Sequence, residues 1–445
     1  MHGTEEQPIN AEHRASTYTP TVGSILRLWL PLAVSFELMM LEGPAFHAAI
    51  GRLPEPSLNL AAWGLAMSLS LLIESPVIML LGTSVALARD MPSFRALRRF
   101  TVILCVICTV ITGAVAFTPL FDLIAARLMG QPKEIVAAAR PAMQIMLLWT
   151  AAIGWRRFYQ GVLVRHGWTR RVSYGTAIRL TVVVVCAVAL VRAGSLAGVQ
   201  VAALAIMAAV AAEAVASTLF ARSVLRDHVP AEHESGSETL TQRAIWRYHM
   251  PLAATTLLTL LAQPMTAAAL ARLDDPTSTL AAWPVAAMIL LVIRGGGLAF
   301  QEITVAESRH PRAAPSLLRV AWILGVAGVA VTVLFVATPL LRFYLDSLVH
   351  VPTALHRLVA TGVAVGLVIP LLTALAAHAR GLLMASGHTH EIYRGMVLSL
   401  SSHVLSLVIG VTLRLPPMWV ASGSMTVAAL VEYAYLATRQ RPPQE

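Results

Sequence analysis

Pro56-Ser57-Leu58-Asn59-Leu60-Ala61-Ala62-Trp63 and Pro276-Thr277-Ser278-Thr279-Leu280-Ala281-Ala282-Trp283 stand 220 residues apart and are nearly the same phrase. The offset holds along the chain. Pro31, Pro44, Pro119 and Pro132 return as Pro251, Pro264, Pro339 and Pro352. Gly161, Gly167 and Gly175 return as Gly381, Gly387 and Gly395. Proline fills roughly one position in twenty, so the prolines of the first copy should coincide with those of the second about half a time by chance. Five coincide, with no gap needed. The chain is an internal duplication.

Composition says what is duplicated. Hydrophobic residues make up 57% of the chain and charged residues 13%, with a mean hydropathy of +0.70. A soluble protein of this length carries about twice that charge. The apolar residues fall in long runs such as Thr101 to Leu120 and Val320 to Leu341, the length that crosses a bilayer as a helix. Twelve such spans are expected, six per copy, over 24–48, 58–88, 99–121, 134–160, 171–192, 196–222, 244–270, 279–307, 316–341, 354–380, 391–413 and 417–438. The predicted class is an all-α polytopic membrane protein of two six-helix bundles. Six spans per copy return the chain to its starting side, so the bundles are related by a pseudo-two-fold axis along the membrane normal. The expected division is a tail (1–23), an N-lobe (24–222), a linker (223–243), a C-lobe (244–438) and a second tail (439–445). The first twenty residues lack an apolar core and predict no cleavable signal peptide.

The net charge of +10 does not point to nucleic acid, because of where it lies. Arg89, Arg95, Arg98 and Arg99 fall between spans 2 and 3, Arg165, Arg170 and Arg171 between 4 and 5, and Arg309, Arg312 and Arg319 between 8 and 9. The alternate loops are sparse in cations. This positive-inside pattern predicts a cell inner (plasma) membrane protein with both termini cytoplasmic. Cys105 and Cys108 form a C-x-x-C in wholly apolar surroundings and read as small packing residues. The pair His388 and His390 has no ligand set around it, so no metal site is expected. Without a nucleotide-binding loop, a nucleophile elbow or H-E-x-x-H, the sequence predicts no enzyme and no cofactor.

Ionisable residues inside spans carry the functional expectation, because each costs about 2.5–3.5 kcal/mol at a helix centre. Glu74 and Arg294 occupy the same place in the two copies, and spans 2 and 8 are expected to present them across a central cleft. Pro76 aligns with Gly296 of Gly295-Gly296-Gly297, so both spans are expected to break there, opening a helix N-terminus beside Arg294 to an anion. Glu37 and Glu42 face Leu257 and Ala262 in the second copy. That asymmetry suggests proton or sodium coupling in the first lobe. Glu213 and Glu432 read as structural, and Arg156 and Arg157 as interfacial or cleft-lining.

Gly161-Val162-Leu163 with Gly167 and Arg170, echoed by Gly381-Leu382-Leu383 with Gly387, resembles the motif ending helices 4 and 10 in the multidrug/oligosaccharidyl-lipid/polysaccharide exporter superfamily, which includes the MATE transporters. Within it the chain is most similar to the progressive ankylosis protein family. That likeness rests on Leu26-Arg27 with Pro31-Leu32, Gly64-Leu65-Ala66 with Ser68-Leu69, Pro251-Leu252-Ala253 with Gln263-Pro264, and Ala377-His378 with Gly381 and Leu383-Met384. The resemblance implies a V-shaped, MATE-like pair of bundles. It also implies export of small polyvalent anions such as pyrophosphate, citrate or nucleotides, with Arg294 and His378 touching the anion. The expected substrate set is Glu74, Arg294, Gln301, Glu302, His378 and Arg157, with Glu37 and Glu42 for ion coupling. The acidic residues Glu37, Glu42 and Glu74 depart from an anion exporter's needs. They keep two alternatives open, a proton- or sodium-coupled exporter of cationic drugs and a flippase for a lipid-linked precursor. The expected partners are a small-molecule substrate and the bilayer, and the expected state is a monomer.

Overall fold

A computed structural model describes residues 20–230, 240–308, 310 and 312–439. Most of the N-terminal tail, the centre of the linker, Arg309 and the last six residues lie outside the described residues. The described residues are 87% helical, and no strand occurs among them. In chain order the spans are α1 (Val22–Met40, continuing as Glu42–Gly51), α2 (Pro56–Leu87), α3 (Met91–Phe117), α4 (Lys133–Arg165), α5 (Thr169–Ala193), α6 (Gly198–Asp227), α7 (Gln242–Leu270), α8 (Pro276–Glu307), α9 (Ala314–Ala337), α10 (Thr353–Val365 bent into Ile369–Ala385), α11 (Thr389–Thr412) and α12 (Pro417–Arg439). Ten are long and apolar enough to cross a membrane by themselves, and the bent α10 makes eleven. The first part of α1 is one continuous helix over Val22–Met40, and the chain breaks at Leu41, between Glu37 and Glu42.

The repeated prolines start helices. Pro56 and Pro276 are the first residues of α2 and α8, where a missing N–H costs nothing. Pro132 and Pro352 cap α4 and α10. Pro119 and Pro339 cap short helices that pass into π-turns at Leu123–Leu128 and Tyr344–Val349. The repeated glycines permit close approach. A Cβ on Gly161 would stand 2.6 Å from Leu81 O, and one on Gly381 would stand 2.9 Å from Gln301 O, its repeat counterpart.

Three local expectations are corrected. α3 begins at Met91, because Asp90 and Ser93 form a reciprocal capping box. Arg95, Arg98 and Arg99 therefore ride on its first turns and are not loop residues. α4 and α10 are each interrupted at one repeat position, by a 3₁₀ turn at Met146–Leu148 and by a 40° bend after Val365. Finally, α8 runs unbroken through Gly295–Gly297, whereas α2 is interrupted at Met79, three residues beyond Pro76.

The lobes meet along α2 and α8. A Cβ on Gly64 would lie 2.6 Å from Pro284 Cγ, and Pro284 is the counterpart of Gly64, so the pseudo-two-fold axis passes between them. Two sets of paired hydrogen bonds obey the same symmetry. On one face, Trp29 Nε1 donates to Gly296 O at 2.8 Å and His249 Nε2 donates to Pro76 O at 2.8 Å. Trp29 matches His249, and Gly296 matches Pro76. On the opposite face, Arg52 Nη1 donates to Leu348 O at 3.0 Å, and Arg272 donates to Leu128 O at 2.6 Å and Met129 O at 2.9 Å. Both ends of the central space are thus tied by inter-lobe bonds.

Candidate functional site

Below the Gly64–Pro284 crossing, α2 and α8 present equivalent faces to one cavity of about 370 Å³. From α2 come Met67, Ser68, Leu71 and Glu74, and from α8 come Ala287, Met288, Leu291 and Arg294. Their spacing of three and four residues is that of a single helix stripe. Glu74 and Arg294 are ten residues past the crossing, about 15 Å along each axis. They share the cavity without an ion pair or hydrogen bond between them among the described residues. The charges acting on Glu74 are Arg156, Arg157 and Arg179 of its own lobe. Those acting on Arg294 are Arg380 and Glu432 of its own lobe.

The rest of the cavity belongs mainly to the N-lobe. The second half of α1 supplies Glu42, Phe46 and His47, α4 supplies Trp149, Ile153, Arg156 and Arg157, and α5 supplies Arg179. A buried ion network stands behind it. Arg156 Nη1 lies 2.8 Å from Glu213 Oε2, Arg179 Nε lies 2.8 Å from Glu42 Oε1 and 3.5 Å from Glu213 Oε2, and Gln160 Nε2 donates to Glu213 Oε1 at 3.0 Å. Glu213 is 0% exposed. Charges so far from water persist only when paired. The reading of Glu213 as structural therefore fits its place as the hub of this network.

Some polar atoms on the cavity are not satisfied. Glu74 Oε2, Arg157 Nε, Arg294 Nε, and the indole N–H groups of Trp149 and Trp283 have no hydrogen-bond partner among the described residues. A buried polar group without a partner costs about 1–3 kcal/mol, so these atoms mark where a ligand would be held. Trp283 enters the sequence reading only as part of the repeated phrase. The signal it passed over was an indole N–H in hydrocarbon, which needs an acceptor.

The remaining expected site residues lie elsewhere. Glu37 sits on the half of α1 that packs on α8, where a Cβ on Gly295 would come within 2.5 Å of its Oε1. Trp29 presses on Gly296 and Ala374 of α10 on Gly297. The three glycines thus seat neighbours on an unbroken helix and free no N–H groups, which removes the expected helix N-terminus beside Arg294. His378 is buried on α10 with Nε2 unpartnered. Gln301 donates to Met384 Sδ at 3.3 Å, and Glu302 is exposed. Glu37, His378, Gln301 and Glu302 are not among the residues lining the cavity.

Residues 31–190 match the family model MatE. No curated protein matches the sequence. Solved structures do. The lipid II flippase MurJ in an inward closed conformation has a TM-score of 0.67 at 11% identity, covering 93% of this chain and 88% of that one. A transporter of the multidrug/oligosaccharidyl-lipid/polysaccharide superfamily from Pyrococcus furiosus, described by a reversed polarity of its binding pocket, has a TM-score of 0.65 at 18% identity, covering 95% and 96%. A multidrug resistance MATE transporter in the inward-facing conformation has a TM-score of 0.59 at 17% identity, covering 92% and 94%. These likenesses do not single out the progressive ankylosis branch. What the chain shares with them over nearly its whole length is the twelve-helix MATE fold.

Proposed function

We propose that this protein is a secondary transporter that carries a small anion through the N-lobe cavity by alternating access of its two lobes. The observation that carries this reading is the cavity's charge. Four guanidinium groups line it against two carboxylates, and the Nε atoms of Arg157 and Arg294 have no protein acceptor. The volume of about 370 Å³ suits a small molecule and falls at the low end of ligand pockets. It favours a small solute over the lipid-linked precursor that the likeness to MurJ brings to mind. The paired bonds at the two faces supply the gates. Breaking Trp29–Gly296 and His249–Pro76 opens one side, and breaking the Arg52 and Arg272 contacts opens the other.

In this reading Glu42 is held by Arg179, whereas Glu74 keeps an oxygen without a protein partner and stays available to balance charge in the cavity. We further propose residence in the plasma membrane as a monomer, with both termini and the 223–243 linker on the cytoplasmic side and export as the direction of transport. A second reading, export of cationic drugs, is favoured by Glu74 together with Phe46, Trp63, Trp149 and Trp283 around the same space, since aromatic faces attract cations. Proteoliposome transport of anions and of cationic dyes, under imposed proton and sodium gradients, separates the two. Dye movement without anion movement would reject the anion reading.

A further inference from the structure

The cavity's charges can be counted, and the count constrains the substrate more tightly than the sign alone. This step rests on the anion reading above. Arg156 is matched by Glu213, and Arg179 by Glu42. Arg157, Arg294 and Glu74 remain, two cations and one anion that line the cavity from α4, α8 and α2. The Arg380–Glu432 ion pair beside Arg294 adds no net charge. The site therefore holds one surplus positive charge in a low-dielectric setting, where each uncompensated charge is costly. One negative charge completes the site. Three negative charges, as on citrate or pyrophosphate, would leave it two units negative.

The uncharged lining says what else the substrate must carry. Phe46, Trp63, Trp149, Trp283, Met67 and Met288 line the same cavity. A fully hydrated polyanion would gain nothing from these walls, while an apolar body would be desolvated against them. The unpartnered indole N–H groups of Trp149 and Trp283 come from opposite lobes. Both seek an acceptor, which a polar atom on an organic body can supply.

We propose that the transported species is an amphiphilic organic monoanion, an apolar or aromatic body bearing one negative charge, and not a polyvalent anion. Glu74 sets this valence: with its charge removed, the surplus rises to two and the site accepts a dianion. Isothermal titration of the full-length protein in detergent with benzenesulfonate, benzene-1,3-disulfonate, benzene-1,3,5-trisulfonate and citrate tests this. These sulfonates keep their charge at all relevant pH values, so valence varies alone. Benzenesulfonate is expected to bind roughly tenfold more tightly than the trisulfonate and citrate, and Glu74→Gln is expected to move the preference to the disulfonate. Citrate or trisulfonate binding as tightly as benzenesulfonate to the unaltered protein would overturn the monoanion proposal and leave the anion reading standing. Binding of tetraphenylphosphonium with none of the anions would overturn both. The ranking on the unaltered protein needs no variant, so it decides even if Glu74→Gln fails to fold.

Discussion

The two lobes share a backbone plan and differ in what they bury. Where the N-lobe has Arg156, Arg157, Arg179 and Glu42, the C-lobe has Ala376, Ala377, Ser399 and Ala262 at the equivalent positions. The C-lobe's one comparable pair, Arg380 with Glu432, occupies nearly the same place as Gln160 with Glu213, and the Arg380 side chain is 25% exposed. Membrane helices do not accumulate buried charge without use, since each costs about 2.5–3.5 kcal/mol to insert. The difference teaches a division of labour. Most of the buried charge lies in the N-lobe, while the C-lobe brings Arg294 and Trp283 to the cavity.

The largest effect that tests this contrast is on stability. Glu213→Ala would leave Arg156 buried without its carboxylate and strip Arg179 of one of two, which is expected to cost about 3–5 kcal/mol. Glu432→Ala, releasing a partly hydrated Arg380, is expected to cost only about 1 kcal/mol. Thermal unfolding in detergent measures both, and equal losses would mean that the lobes are not specialised in this way. Next in size is transport. Arg157→Gln and Arg294→Gln each remove an unpartnered guanidinium, so each is expected to slow anion transport by roughly 10–100-fold, the worth of a charged hydrogen bond. Their melting temperatures should stay close to that of the unaltered protein.

A smaller effect probes the gates. Arg272→Ala removes both of its bonds to the π-turn of the other lobe and is expected to favour opening on that face by about fivefold per lost bond. Spin labels at the equivalent exposed positions 122 and 342 would report a longer distance, whereas His249→Phe should open the opposite face and leave that distance unchanged. The smallest expected number is the coupling between Glu74 and Arg294. Because each responds to charges of its own lobe, a double-mutant cycle should give less than about 0.5 kcal/mol. A larger coupling would mean that the two side chains oppose each other directly.

How much of this was legible in the sequence follows from what kind of residue carries each feature. The architecture was readable because prolines at helix starts and glycines at close contacts act locally and repeat at a fixed offset. The shared level of Glu74 and Arg294 was readable for the same reason, as was Glu42's standing apart from its counterpart. The ion network was not, since Glu213, Arg156 and Arg179 meet only when α4, α5 and α6 pack. The expected break in α8 misled because three glycines weaken a helix in isolation, while here Glu37, Trp29 and Ala374 fill the space that side chains would take. The break in α1 turns Glu37 toward α8 and Glu42 toward Arg179 of α5, five residues apart, and no periodicity announces such a break.

The central claim is that an anion is carried in the N-lobe cavity between Arg157 and Arg294. Its most direct test is uptake of radiolabelled benzenesulfonate into proteoliposomes holding the unaltered protein or Arg157→Gln. The account expects saturable uptake that falls at least about tenfold in the variant, with both proteins equally well folded. Uptake unchanged by Arg157→Gln would contradict it.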